Sequence, residues 1–370
     1  MKLNNLKDII YITETSLPSL SANIINSLKF CDAFAKNYKV NFFLPKLDIS
    51  KEKIKQDFGL ENEIHFSEIL KKNVSNSLMR FYFCIVTVFK IIFRSKKPDI
   101  IIGRSIICSL ILALFNKKNV IEIHNNLNGL TKILFKLIVK TYFKKNLIFI
   151  VINQNLIEDL EIKNLTYIVL DDAADIKKVK TLSTYKYENT CVYTGSFFKG
   201  KGCELIIKLS KIMPNIQFHL YGDTSMLKEF ELKKILRKNI KLKGYVEYFK
   251  IKDVLNKYHV ALMPYEKKIS ARSSNLEIAR YISPLKMFDY FSAGNIILSS
   301  KVRALDHILK HNVNSFIINN NNLNNWKFLI NKIFRNTSKF EYIKYNAFST
   351  SKKYSWKKRS KKLLNFLSTN

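Results

Sequence analysis

Short apolar runs separated by stretches of helical periodicity make up most of this chain. Ile9–Ile12, Val40–Leu44, Asp99–Ile102, Asn119–His124, Leu147–Asn153 and Tyr167–Ala173 read as strands, and Asn23–Tyr38, Ser77–Phe93 and Leu130–Lys145 as helices. A second series follows: strands at Cys191–Gly195, Gln217–Gly222, Ile240–Val246, Val260–Tyr265, Asn295–Ser300 and Phe316–Ile318, with helices at Cys203–Ile212 and Pro284–Ala293. Strands this apolar are buried on both faces, and their alternation with helices predicts parallel α/β sheets. Residues 48–76 show no clear period, Lys177–Asn189 is polar like a linker, and Glu266–Tyr281 reads as a long loop.

Two stretches carry chemistry. In Ser283–Gly294, Ser283 suits an N-cap, Pro284 the first helical position and Gly294 the left-handed residue past the last turn. Such a helix start leaves the N–H groups of Leu285 and Lys286 without intrahelical acceptors, and Lys286 adds a full charge, so the turn suits a phosphate. Asp289, three residues on, shares that face, where a carboxylate can accept from two adjacent ribose hydroxyls. The other stretch is Gly195-Ser-Phe-Phe-Lys-Gly-Lys-Gly202, a glycine turn between strand and helix with Lys201 inside it. Glycines allow a backbone to approach a phosphate closely, although the spacing is not that of a P-loop.

Composition adds limits. A chain of 370 residues, 47% hydrophobic, suits two domains rather than one core. Five cysteines without metal-like spacing imply reduced thiols in a cytoplasmic protein. A formal charge of +34 implies acidic partners: sugar nucleotides, an anionic membrane face or nucleic acid. No basic run with interleaved aromatics, zinc spacing or helix-turn-helix pattern supports nucleic acid. Met1–Asp8 is too short and polar for a signal peptide, and Phe81–Phe89, the longest apolar run, falls short of the roughly 20 residues a bilayer needs, so any membrane contact is expected to be peripheral. Lys132, Lys136, Lys140 and Lys144 recur at four-residue spacing, which fits a solvated helix face or a face on anionic lipid.

Ser-Pro-Leu-Lys-Met-Phe-Asp-Tyr-Phe-Ser-Ala-Gly followed by Asn-Ile-Ile-Leu-Ser-Ser resembles the donor-nucleotide segment of retaining glycosyltransferases of family 4. The resemblance implies an α/β protein of the GT-B fold, two Rossmann-like domains facing across a cleft: residues 1–175 on the acceptor side, 176–345 for the nucleotide sugar, and 346–370 crossing back onto the first domain. It implies that Asp289 binds ribose, that Lys201 and Lys286 hold the diphosphate and stabilise its departure, and that Gly195, Ser196 and the backbone of Ser283, Pro284 and Leu285 line the donor. Gly244, Tyr245 and Val246 then meet the base. His124, in a Glu-x-His context, lies beside the donor sugar, and Ser21, Asn23 and Arg104 face the acceptor. Ser196 stands where many members have Arg, and Tyr281 where members with two spaced carboxylates have the first.

The activity so implied is transfer of a sugar from a UDP- or GDP-linked donor to a hydroxyl of a cell-surface glycan or lipid-linked acceptor, as in lipopolysaccharide or capsule synthesis, with retained configuration and no cofactor or obligatory metal. Two rivals are a sugar-nucleotide 2-epimerase of the same fold and a non-enzymatic basic protein that binds membranes or nucleic acid.

Overall fold

The computed structural model describes residues 6–176, 187–223, 237–269, 279–319 and 322–369. The chain divides into two compact units, Met1–Asp171 with Trp356–Asn370, and Asp172–Ser355.

Unit 1 runs β1 (Asp8–Ile12), α1 (Ala22–Ala35), β2 (Lys39–Leu44), α2 (Lys51–Phe58), β3 (His65–Glu68), α3 (Ser77–Ile92), β4 (Ile100–Gly103), α4 (Ile106–Leu114), β5 (Asn119–Ile123), α5 (Gly129–Val139), β6 (Leu147–Val151), α6 (Asn155–Asp159) and β7 (Tyr167–Val169). Its strands form one parallel sheet in the order β3-β2-β1-β4-β5-β6-β7. In register, Ile9 lies between Val40 and Ile100. The strands β1, β5 and β6 are buried throughout, which is why they are continuous apolar runs rather than alternating ones.

Two elements depart from the sequence reading here. Residues 48–76 hold α2 and the edge strand β3, whose His-Phe-Ser-Glu sequence is too polar to announce a strand. The single helix expected over Leu130–Lys145 is broken: α5 ends at Val139, and the Thr141 hydroxyl accepts the Phe143 N–H at 3.3 Å to start a separate 3-10 turn, Tyr142–Asn146. Lys144 therefore leaves the lysine row of α5.

Unit 2 runs β8 (Tyr187–Thr194), α7 (Cys203–Ile212), β9 (Gln217–Tyr221), β10 (Ile240–Gly244), α8 (Ile251–Leu255), β11 (Tyr258–Met263), α9 (Leu285–Ser292), β12 (Ile296–Ser300), β13 (Phe316–Ile318), α10 (Leu323–Arg335) and α11 (Glu341–Ser351). Its parallel sheet has the order β10-β9-β8-β11-β12-β13. Alternate side chains build a core on each face: Cys191, Tyr193, Val260 and Leu298 pack under α7 and α10, while Val192, Ala261 and Ile297 pack under α9. Tyr187–Asn189, expected in a linker, belongs to β8, and 177–186 lies outside the described residues.

The last helix, α12 (Trp356–Thr369), packs on α1 of unit 1. The expected boundaries shift on both sides. The break falls at Asp171 rather than 175 because Ala174 donates its N–H to Tyr354 O at 3.0 Å and bridges to Ser355, holding both within unit 2. Residues 346–355, expected in the crossing segment, also stay there, since α11 packs on α9 with Ala347 in its core. Among the described residues no helix is long and apolar enough to cross a membrane. All five cysteines are free and buried.

Candidate active site

In an open parallel sheet, ligands bind beyond the carboxyl ends of the strands where the strand order reverses. In unit 2 that point lies between β8 and β11. The turn after β8 is the glycine stretch 195–202, and Pro264 and Tyr265 follow β11.

The glycines let this turn press against the strand end. Gly200 (φ +78°) and Gly202 (φ +103°) take left-handed backbone, and a Cβ on them would lie 2.0 Å from Lys268 O and 2.3 Å from Pro264 O. The Glu266 N–H donates to Gly200 O at 3.0 Å, tying the two loops together. Gly195 (φ +131°) makes room for Lys286, whose Nζ lies 3.3 Å from where a Cβ would stand. The helix-start lysine and the first glycine of the turn therefore meet.

Lys286 projects from the first turn of α9 over the Tyr193 ring, with Nζ 3.8 Å from its centroid, and lies 5.2 Å from that of Tyr265. Lys201 Nζ is 6.0 Å from the same Tyr265 ring. Lys286 Nζ and the Tyr265 hydroxyl are buried without a hydrogen-bond partner among the described residues. Burial, and then the Lys201 charge, push the Lys286 pKa well below the ordinary lysine range; burial brings Lys201 down to about 8. Two neighbouring lysines held out of water, with no carboxylate paired to Lys286 among the described residues, form a place where an anion would favour their charged forms.

The rest of the donor set divides. Ser283 does not cap α9: Pro284 occupies the cap in extended conformation, and the Ser283 hydroxyl accepts the Asp172 N–H at 3.1 Å. That bond fixes where the chain enters unit 2. The first amides of α9, those of Leu285 and Lys286, keep no intrahelical acceptor. Gly294 ends the helix left-handed (φ +68°), as its position suggested. Asp289 is buried one turn beyond Lys286, and the Tyr248 hydroxyl donates to its Oδ1 at 3.2 Å. Tyr248 lies in the 3-10 turn that follows Gly244, Tyr245 and Val246, and its bond ties that turn to α9. Tyr245 is partly open to solvent, and the Gly244 carbonyl takes the Gly222 N–H at 2.9 Å. The Ser196 carbonyl accepts the Tyr193 hydroxyl at 2.7 Å, which braces the glycine turn. Tyr281 is buried just before α9, while 270–278 of the preceding loop lies outside the described residues.

In unit 1 the strand order reverses between β1 and β4. The Arg104 N–H donates to Ile12 O at 3.0 Å, and its guanidinium reaches Asn23 O at 3.4 Å, so the loop after β1 and the end of β4 come together. Asn23 donates to Thr15 Oγ1 at 3.2 Å and keeps its own Oδ1 without a partner among the described residues. The Ser21 hydroxyl is committed as the cap of α1, accepting from Ile24 N–H at 3.4 Å. Its oxygen stabilises the helix start.

His124, at the end of β5, lies 2.7 Å from Glu122 Oε1 through Nε2. Arg359 of α12 donates to the same oxygen at 2.9 Å, and the Tyr11 hydroxyl donates to Oε2 at 2.9 Å. Burial alone would raise the Glu122 pKa, but Arg359 and His124 together hold it well below the carboxylate range. Burial, followed by the Arg104 charge, lowers His124 to about 4. At neutral pH the ring is therefore uncharged, its Nε2–H faces the carboxylate, and Nδ1 remains as an acceptor. Sequence reasoning missed Tyr193, Tyr265, Tyr248 and Arg359. Glu122 stood in sight two residues from His124, but nothing local marks Arg359, which arrives from the far end of the chain.

Among the described residues no three His, Cys, Asp or Glu side chains are grouped to hold a metal ion. Two doubly wound parallel sheets, with two lysines at the switch point of the second, are the architecture of a two-domain nucleotide-binding fold. Residues 175–350 match the family described as glycosyl transferases group 1, so unit 2 carries the domain of that family, and the chain as a whole has the GT-B fold. Solved structures of the same fold include Anabaena Alr3699/HepE in complex with UDP and glucose (TM-score 0.72, 13% identity, 98% of this chain and 100% of that one). Sucrose-phosphate synthase from Thermosynechococcus elongatus is similar too (TM-score 0.72, 12% identity, 98% of each chain). So is WaaG, a glycosyltransferase involved in lipopolysaccharide biosynthesis (TM-score 0.65, 10% identity, 98% of this chain and 100% of that one). Identities this low speak for the fold. No curated protein sequence matches the chain.

Proposed function

We propose that the protein transfers a sugar, with retained configuration, from a UDP-linked donor to a hydroxyl of a lipid-linked or cell-surface glycan at the inner face of a membrane. The observation that carries the donor half is Lys286: a buried amine, beside Lys201, with no hydrogen-bond partner among the described residues at the switch point of unit 2. A diphosphate there accepts from both lysines and from the first amides of α9, and Asp289 takes the ribose hydroxyls in exchange for part of its bond to Tyr248. As the glycosidic bond breaks, negative charge grows on the leaving phosphate, where both ammonium groups and the helix start lower its energy. The departing oxygen then takes the acceptor's proton on the same face of the sugar, which accounts for retention without a protein base. Neutral His124 serves as a hydrogen-bond acceptor for a sugar hydroxyl rather than as a cation, and Asn23 and Arg104 orient the acceptor.

UDP is favoured over GDP because HepE was solved with UDP and glucose; WaaG supports a glycan acceptor of the lipopolysaccharide type. Titration calorimetry with UDP and GDP tests the donor half. UDP is expected to bind, and Lys286→Ala to weaken it by at least tenfold. If neither nucleotide binds the unaltered protein, the reading is wrong. Proton NMR of the transferred anomeric centre then decides between retention and inversion.

A further inference from the structure

The outer faces of α3, α4 and α5 in unit 1 belong to no site described so far. Among the described residues seventeen large apolar side chains are exposed, and eleven of them fall between Leu78 and Tyr142. On α3, Leu78, Phe81, Tyr82, Phe89 and Phe93 share one side, opposite the buried Phe83, Cys84, Val88 and Ile91. Phe93 is 77% exposed and stacks on Phe89 with ring centroids 5.8 Å apart. On α5, Leu130, Ile133 and Leu137 form a matching stripe opposite Phe135 and Ile138. The helices pack in sequence, α3 against α4 and α4 against α5, and Leu114 and Phe115 at the end of α4 are exposed as well.

A helix that keeps one apolar stripe in the core and a second one in water is unusual for a protein surface. The charges around the second stripe say what covers it. Residues 77–145 contain thirteen Lys and Arg but only two carboxylates, Asp99 and Glu122. Asp99 accepts the amides of Lys7 and Asp8 at the base of the sheet, and Glu122 is buried with Arg359. Acids from outside the segment reach Arg80, Arg94 and Lys136, through Glu14, Asp8 and Glu161. Lysines such as Lys90, Lys132 and Lys140 flank the stripes. A basic rim around aromatic and aliphatic side chains complements an anionic lipid surface, where the rings enter the headgroup boundary and the lysines meet the phosphates.

We infer that this face of unit 1 docks reversibly on anionic membranes. The two contributions are separable. Each flanking lysine near the surface is worth about 1 kcal/mol, or about fivefold in affinity, and that share is screened by salt. The apolar share is not.

Flotation of the full chain with vesicles of phosphatidylcholine alone, and with 30% phosphatidylglycerol, at about 0.1 M and about 0.5 M salt tests this. Binding is expected to the anionic vesicles at low salt. Lys90→Gln with Lys132→Gln and Lys140→Gln is expected to lower it by about a hundredfold, following the per-lysine figure. Phe81→Ser with Phe93→Ser and Ile133→Ser is expected to abolish it, and the circular-dichroism spectrum and thermal melt of the full chain should stay unchanged in both sets as the check that unit 1 still folds. Several results overturn the inference: equal binding to neutral vesicles, no vesicle binding at all, vesicle binding indifferent to the serine set, or salt-sensitive binding to duplex DNA in its place. Dimerisation in the absence of lipid that the serine set dissolves overturns it too, since the stripes then meet a second copy.

Discussion

Arg359 is the contact on which the returning helix should depend most. Its side chain is 3% exposed and that of Glu122 is fully buried, and Nη2 bonds the carboxylate at 2.9 Å while Nε donates to Asp171 O at 2.9 Å. The guanidinium also lies 4.3 Å from the Phe30 ring centroid. Arg359→Met keeps much of the packing on Phe30 but leaves a buried carboxylate held only by Tyr11 and His124 among the partners described here. Breaking a buried pair from one side costs about 3–5 kcal/mol, because the remaining charge stays desolvated. For a unit of this size that is about 6–20 °C in Tm. Glu122→Gln should be similarly damaging, for it strands the cation instead. The double variant removes both charges and should cost clearly less than the two single changes added together, the excess measuring the coupling. The same change has a second readout: without Arg359, which helps to hold the His124 pKa at about 4, that pKa should rise in a 1H–13C titration. A Tm loss under about 2 °C for Arg359→Met, or strict additivity in the cycle, would refute the reasoning.

Nucleotide binding should take up protons near pH 7–8, because a diphosphate restores the charge on Lys286 and raises Lys201 above its free value of about 8; calorimetry in buffers of different ionisation heats reads this, and proton release would contradict it. In acid the native state resists protonating His124 until about pH 4 while the unfolded chain takes that proton near 6.5, so unfolding free energy should fall as pH drops through that window. Replacing His124 with Gln should flatten the slope in denaturant titrations. Gly200→Ala must push a Cβ into Lys268 O, 2.0 Å away, and should cost about 3 kcal/mol or more, whereas Gly244→Ala meets nothing within 4 Å and should cost only about 1 kcal/mol for its positive φ. Urea melts compare them, and equal losses would show that the close approach is unimportant.

Much of the architecture was written in local pattern. Runs such as Ile9–Ile12 and Leu147–Val151 are apolar at every position because both faces of a parallel sheet are covered. Lys286, Lys201 and the glycines between strand and helix were legible because close backbone approach and positive φ leave few alternatives to Gly. Polar edge elements were not: β3 has no period to read, and the break after Val139 depends on one Thr141 hydroxyl. Ser283 shows how a local rule can be outbid. Its side chain suits a cap, but the chain entering unit 2 offers it the Asp172 amide instead.

The order of residues alone determined that there are two α/β units and which stretches could meet a phosphate, since periodicity, glycine and charge act over a few neighbours. Only the tertiary structure decided that Lys286 stands over Tyr193 without a hydrogen-bond partner among the described residues, and that a glutamate two residues from His124 is neutralised by an arginine more than two hundred residues away. Desolvation and pairing depend on what surrounds a group in space, and chain order does not record that.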